Sequence, residues 1–203
     1  MARQRPKPET IGAVDRPEGP LEDLAAIDPA SRELEAARLD GTDLEGAGLR
    51  GLRMVDVEAE TIVAANGDWG GALLRRVVFS GARLTGLNLG EAKLEDVRFV
   101  NCKLDYANFR FAAIDHVSFE DCVLTEADFQ GAQVYASNFP GSHLRGTDFT
   151  KAELSHVDLR GAELAGLGGS LLGLRGATVD SLQLIDLAPA LVHELGIRVE
   201  DPS

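Results

Sequence analysis

Cys102 and Cys122, with His116, His143, His156 and His193, are the residues of this chain whose types first suggest metal or nucleophilic chemistry. Their spacing points elsewhere. The two cysteines are joined by no further ligand, and His143 and His193 have no partner at metal-ligand spacing. No G-x-S-x-G, H-E-x-x-H, phosphate-loop or dinucleotide-binding pattern occurs. The glycine-rich run GLGGSLLG at 166–173 lacks the strand-then-helix setting of a phosphate loop and reads as a distortion of whatever repeats before it. Asn108, Asp128, Asn138, Asp148 and Asp158 each precede a large apolar residue. Such residues hydrogen-bond local backbone in turns, and this reading is preferred to a row of acid–base pairs. No active site, cofactor or metal is expected, and the histidines are read as solvated.

The elements that carry these residues repeat every five positions. Taking every fifth residue from Leu34 to Leu184 gives 31 positions, of which 28 are Leu, Phe, Ile, Val, Met or Trp. Only Ala59, Ala64 and Gly169 fall short. Two residues earlier the chain is mostly small or aliphatic, and Arg32 is the one charged residue in either set, although 26% of the chain is charged. Two inward residues around one outward residue make a short extended segment. Neither a 3.6-residue helix nor a continuous strand then inserts three polar positions; a corner after every five residues does. Gly81, Gly86, Gly131, Gly141, Gly146 and Gly161 fall at such corners, where positive φ suits glycine.

The segments ANFRF, ADFQG, TDFTK, VDLRG and AELAG, at 107–111, 127–131, 147–151, 157–161 and 162–166, resemble the pentapeptide-repeat family, whose consensus is A(D/N)LxX. The resemblance covers about residues 34–184 and implies an all-β solenoid: a right-handed quadrilateral parallel β-helix with four pentapeptides per coil. Residues 20 apart then share a face. Phe79, Phe99, Phe119 and Phe139 form one column and Phe109, Phe129 and Phe149 the opposite one. Leu84, Leu104, Leu124, Leu144 and Leu164 fill a third, and Leu94, Ile114, Val134 and Leu154 the fourth. Coils spaced by about 4.8 Å bring the rings to stacking distance, and seven or eight coils make a rod about 35–40 Å long. Cys102 and Cys122 become stacked small fillers; His116 and His156 lie two coils apart, about 10 Å, too far for one metal ion.

Residues 1–30 carry five prolines and few large apolar residues, and read as a disordered or loosely packed arm. The β-helix is expected over 31–184. SRELEAARLDG at 31–41 fits either a first coil or a short capping helix. At 55–68 the frame holds but the large central residues vanish, so this stretch is either two degenerate coils or a loop. Residues 185–203 read as a C-terminal capping or dimerisation helix and tail, with Asp186 as N-cap, Pro189 in the first turn, Leu187, Leu191 and Leu195 on one face, and Gly196 as the stop.

Nothing approaches the roughly 18–20 apolar residues of a membrane span, and the basic, proline-bearing N-terminus has no apolar stretch behind it, so the chain is expected in the cytoplasm. A net charge of −13 argues against direct nucleic-acid binding. It suits a basic protein partner. The resemblance extends to the Qnr- and MfpA-like members, rods that mimic duplex DNA and bind DNA gyrase; the unbroken frame matches the loop-free type. The acidity is uneven, with −7 over residues 1–69, −3 over 70–170 and −3 over 171–203. Within the regular coils the candidate acidic partner face carries Glu95, Asp96, Asp115 and Glu153, beside Lys93. The expected function is therefore non-enzymatic: a protein-binding rod, with gyrase or another DNA-binding enzyme as partner, or a general interaction scaffold without mimicry. A homodimer through the C-terminal end is a further expectation.

Overall fold

An extended segment of five residues turns a corner only if one of them leaves the β region. In the computed structural model, which describes residues 22–23 and 32–200, that residue is the second after the central apolar one. Ala36, Asp56, Arg76, Asp96 and His116 have φ of 48°, 55°, 50°, 54° and 52° along one corner. Gly41, Thr61, Gly81, Asn101 and Asp121 have 60°, 54°, 62°, 52° and 51° along the next. One left-handed residue per pentad, repeated four times, closes a square coil. The six corner glycines read from the sequence all have positive φ.

The product is a right-handed parallel β-helix of about seven turns with a C-terminal helix. Its main sheet runs β1 (Glu22–Asp23), β2 (Glu33–Asp40), β3 (Arg53–Glu60), β4 (Leu73–Ser80), β5 (Lys93–Val100), β6 (Ala113–Glu120), β7 (Gln133–Tyr135) and β8 (Glu153–Ser155), in that spatial order and all parallel. Successive strands pair residues 20 apart, as in Leu74↔Leu94, Leu94↔Ile114 and Ile114↔Val134. Each eight-residue strand covers two sides of the square, bent at its left-handed residue. The other two sides are joined by bridges such as Arg83↔Lys103 and Asn88↔Asn108. Backbone N–H groups along the sides donate to the next coil, Leu84 to Lys103 at 2.8 Å and Leu104 to Val123 at 2.7 Å among them.

Inside, Phe79, Phe99, Phe119 and Phe139 stack with centroids 5.0, 5.0 and 4.7 Å apart. Phe109, Phe129 and Phe149 stack at 4.6 and 5.0 Å on the opposite side. The two columns meet edge-to-face, Phe109 against Phe119 at 5.9 Å and 88°. Leu84, Leu104, Leu124 and Leu144 are fully buried. Each such side chain contributes roughly 1.5–3 kcal/mol of burial.

Both ambiguous segments prove to be coil. Residues 33–40 of SRELEAARLDG form β2, not a capping helix: Leu34, Ala37 and Leu39 are buried in the pentad pattern and pair with Met54, Val57 and Ala59. Residues 55–68 continue the frame without a loop. Their central alanines are accommodated by Trp69. The four central residues of this coil are Met54, Ala59, Ala64 and Trp69, all buried, and the indole lies 6.3 Å from Phe79 on the opposite column of the next coil. One large side chain fills the space that two small ones leave.

The final coil departs from the square. A 3-10 turn at Leu171–Leu174 replaces one side, and β9 (Val157–Asp158) pairs with β10 (Ala177–Thr178). Glycine is required here: a Cβ on Gly173 would fall 1.9 Å from the Phe149 carbonyl oxygen, and one on Gly176 would fall 2.0 Å from that of Leu154. Helix α1 (Ser181–Glu194) follows, earlier than the expected start at 185, and its N-cap is Asp180 rather than Asp186. The β-helix therefore ends near Val179, and Leu184 is an exposed helical residue. Pro189 sits in the helix interior, not its first turn. The helix stops at Gly196 (φ 65°), whose N–H donates to His193 while Ile197 donates to Val192, a Schellman arrangement. Of the expected arm at 1–30, all but Glu22–Asp23 lies outside the described residues.

Candidate interaction surface

The outward residues on either side of each central side chain form rows along the rod. On the side holding the Phe109 column, Asp68, Asn88, Asn108, Asp128 and Asp148 stand in register. Each accepts from the backbone N–H two residues on, as Asn108 does from Arg110 at 2.9 Å and Asp128 from Gln130 at 2.8 Å. Asn108 also donates to Asn88 at 2.9 Å, and Asn88 to Asp68 at 2.7 Å. These groups tie coil to coil and are not free to act as acids or bases.

Several arginines do the same work. Arg76 makes two bonds of 2.5 Å to Asp56 one coil back, and Arg98 two of 3.0 and 2.9 Å to Glu120. These guanidinium groups hold the Asp56 and Glu120 carboxyls below their ordinary range. Arg38–Glu58, Arg50–Asp68 and Arg110–Asp128 pair likewise.

The expected acidic face is partly engaged by the chain's own side chains. Glu95 and Asp115 stand side by side in adjacent coils, but Glu95 lies 3.7 Å from Arg75 and Asp115 lies 2.7 Å from His116 Nδ1. Asp96 is at the adjoining corner, within the field of Arg76. Glu153 belongs to a different row, beside Gln133, two coils beyond Asp115. The four residues do not form one patch.

Both cysteines are buried and free. Cys122 donates to the Phe99 carbonyl at 3.3 Å, Cys102 to that of Phe79 at 3.4 Å, and Ser142, the next residue in the column, to that of Phe119 at 2.8 Å. Cys102 alongside and burial push the Cys122 thiol up, so it is no nucleophile. His116 and His156 are separated by Tyr135, which meets their rings edge-on at 5.7 and 5.3 Å. His143 bonds Glu163. Among the described residues no three His, Cys, Asp or Glu side chains gather to hold a metal ion.

At the C-terminal end, Leu187 is buried and Leu191 packs partly against the core, but Leu195 is 62% exposed at the helix C-cap. The sequence pattern did not single out Gln183, which is buried and donates to the Leu159 and Ala162 carbonyls at 2.6 and 2.7 Å. Nor did it single out the aromatics Tyr106, Phe111 and Tyr135. Among the described residues these are the exposed large hydrophobics of the regular coils. Their signal was present: Tyr106 and Phe111 stand at corner positions, where glycine or a small polar residue is ordinary.

A four-sided parallel solenoid with side-chain ladders outside is the architecture of a repeat scaffold. The sequence profile described as a pentapeptide repeat region matches residues 65–129 and 92–168, just over half of the chain, and the chain belongs to that family. Solved structures similar to it include a trypsin-treated variant of QnrB1, a plasmid-mediated fluoroquinolone resistance protein (19% identity, 83% of this chain and 92% of that one, TM-score 0.40). Another is Rfr23 of the cyanobacterium Cyanothece 51142 (16%, 74% and 92%, 0.42). A third is HetL of Nostoc sp. strain PCC 7120, involved in heterocyst differentiation regulation (20%, 66% and 77%, 0.30). No curated protein sequence matches the chain.

Proposed function

We propose that this protein is a non-enzymatic docking rod for a basic protein partner, with a DNA-binding enzyme such as DNA gyrase as the specific candidate. The observation that supports it most is the use of the arginines. Arg38, Arg50, Arg76, Arg98 and Arg110 are spent on carboxylates of neighbouring coils. The acidic excess of a chain with net charge −13 is therefore presented outward by carboxylates, on flat sides whose backbone is already bonded. Such a surface attracts cations and repels nucleic acid. It offers no sheet edge along its sides, so recognition falls to side chains.

Two copies joined end to end belong to the same reading. Helix α1 and the residues after it expose Leu182, Leu184, Ile185, Leu195 and Ile197 at the end of the rod. A second copy covers that apolar patch and doubles the length of the acidic rod.

The test is a supercoiling assay with purified gyrase and the full chain. Inhibition at micromolar protein, relieved by added salt, is expected. Activity unchanged at that concentration sinks gyrase as the partner and leaves a scaffold for another basic protein.

A further inference from the structure

Tyr106 and Phe111 occupy adjacent corners of one coil, at the two ends of the segment Ala107–Arg110. Both are left-handed, at φ 58° and 57°, a conformation that bulky side chains seldom adopt. Elsewhere in these two corner columns the left-handed residue is glycine, except at Asn66, Glu91, Glu126 and Lys151. The rings nevertheless lie open to solvent, at 58% and 62%.

The pair is held in place. The Arg110 guanidinium lies 5.8 Å from the centroid of the Phe111 ring and is itself anchored to Asp128 at 3.1 Å. The ring rests over Gly131 in the next coil, where a Cβ would fall 2.6 Å from Phe111 Cε1. Between the two corners, Asn108 is fixed by Asn88 and by the Arg110 N–H. The result is a side flanked by two exposed aromatic rings. Around it stand Glu91, Asp105 and Glu126. None of them forms an ion pair among the described residues.

Two exposed rings beside carboxylates that form no ion pair fit a cation carried on an apolar stem, and the Phe111 ring already holds one such group in Arg110. Arginine suits best, because its planar guanidinium stacks on rings and pairs with carboxylates. We propose that the Tyr106–Phe111 pair is the docking point of the rod, taking an arginine-bearing segment of the basic partner. The inference rests on the partner being basic and places its anchor away from the Glu95–Asp115 side, where Arg75 pairs with Glu95 and His116 hydrogen-bonds Asp115. The strained corners then have a use: aromatic anchors stand where glycine is more comfortable.

The test uses the full chain and a fluorescein-labelled nona-arginine peptide, titrated by fluorescence anisotropy at low ionic strength. Tyr106→Gly with Phe111→Gly changes no charge and suits the positive φ, so folding is retained and the melting temperature holds or rises. Binding at least about fivefold weaker is expected. Binding within about twofold of the unaltered chain shows long-range charge alone and overturns the proposal. Glu95→Gln with Asp115→Asn is the control, expected to stay within about twofold; a loss equal to that of the double glycine variant also overturns it. Peptide binding lost while gyrase inhibition persists refutes this site only. Peptide binding intact without gyrase inhibition refutes only gyrase as the partner.

Discussion

The side-chain amide of Gln183 donates to the carbonyl of Leu159 at 2.6 Å and to that of Ala162 at 2.7 Å, while its Oε1 accepts from the Asp180 N–H at 2.9 Å. The last coil of a solenoid leaves carbonyls with no further coil to accept from. One residue at the third position of α1 satisfies two of them and closes the capping box of its own helix. Replacing Gln183 by Leu leaves the Ala162 carbonyl without its donor and the Leu159 carbonyl with only the Ala162 N–H at 3.1 Å, so a loss of about 1–3 kcal/mol is expected in urea denaturation. A change under about 0.5 kcal/mol would show that water reaches those carbonyls.

The Met54, Ala59, Ala64 and Trp69 coil predicts coupling between distant positions. Ala59→Leu alone overpacks against the indole and destabilises by about 1–3 kcal/mol. Trp69→Ala alone opens a cavity and costs about 3–5 kcal/mol. Combined as Ala59→Leu with Trp69→Ala, the two offset each other. A double-mutant cycle returning additive values would refute shared volume.

Acid should loosen the stack between coils. Arg76 depresses Asp56 and Arg98 depresses Glu120, each across two coils in contact. A carboxyl depressed in the folded state stabilises it above the unfolded pKa, and that stabilisation is lost as pH falls through the folded value. The melting temperature is therefore expected to hold from neutral pH to about 5 and to drop below about 4. Glu120→Gln should melt lower at neutral pH and show a shallower acid decline. An equally steep decline would mean that other groups carry it.

The cysteine column tolerates oxygen. Ser142 makes with Phe119 the bond that Cys122 makes with Phe99, so Cys122→Ser should stay within about 1 kcal/mol of the unaltered protein. Both thiols should react with Ellman's reagent only on unfolding; reaction in the native protein would contradict their burial.

The proposed end-to-end dimer is best tested at Ile185, which is 67% exposed, and not at Leu191, which packs partly on the core. Ile185→Asp should give a monomer by light scattering with an unchanged melting curve. A mass unaltered by the substitution, whether monomer or dimer, removes α1 from the interface.

The pentad and its four faces were legible because each inward position must be apolar on its own account, and a 20-residue recurrence places Phe99 beside Phe119 in any chain that turns four corners. The corners were legible for a similar local reason, since glycine marks positive φ at Gly81 and Gly86. The start of the cap helix was not. Leu182 and Leu184 satisfy both the pentad frame and a helix, and the D-x-x-Q box at Asp180 and Gln183 was the overlooked sign. What the sequence alone determined is thus the set of buried residues and the side of the rod each occupies, because these follow from a short period. Only the tertiary structure decided that Ala59 and Ala64 lie in a regular coil, which carboxylates remain free, and that Tyr106 and Phe111 flank one side. Those outcomes depend on partners 5, 10 or 20 residues away, whose volume and charge are shared only once the coils close and stack.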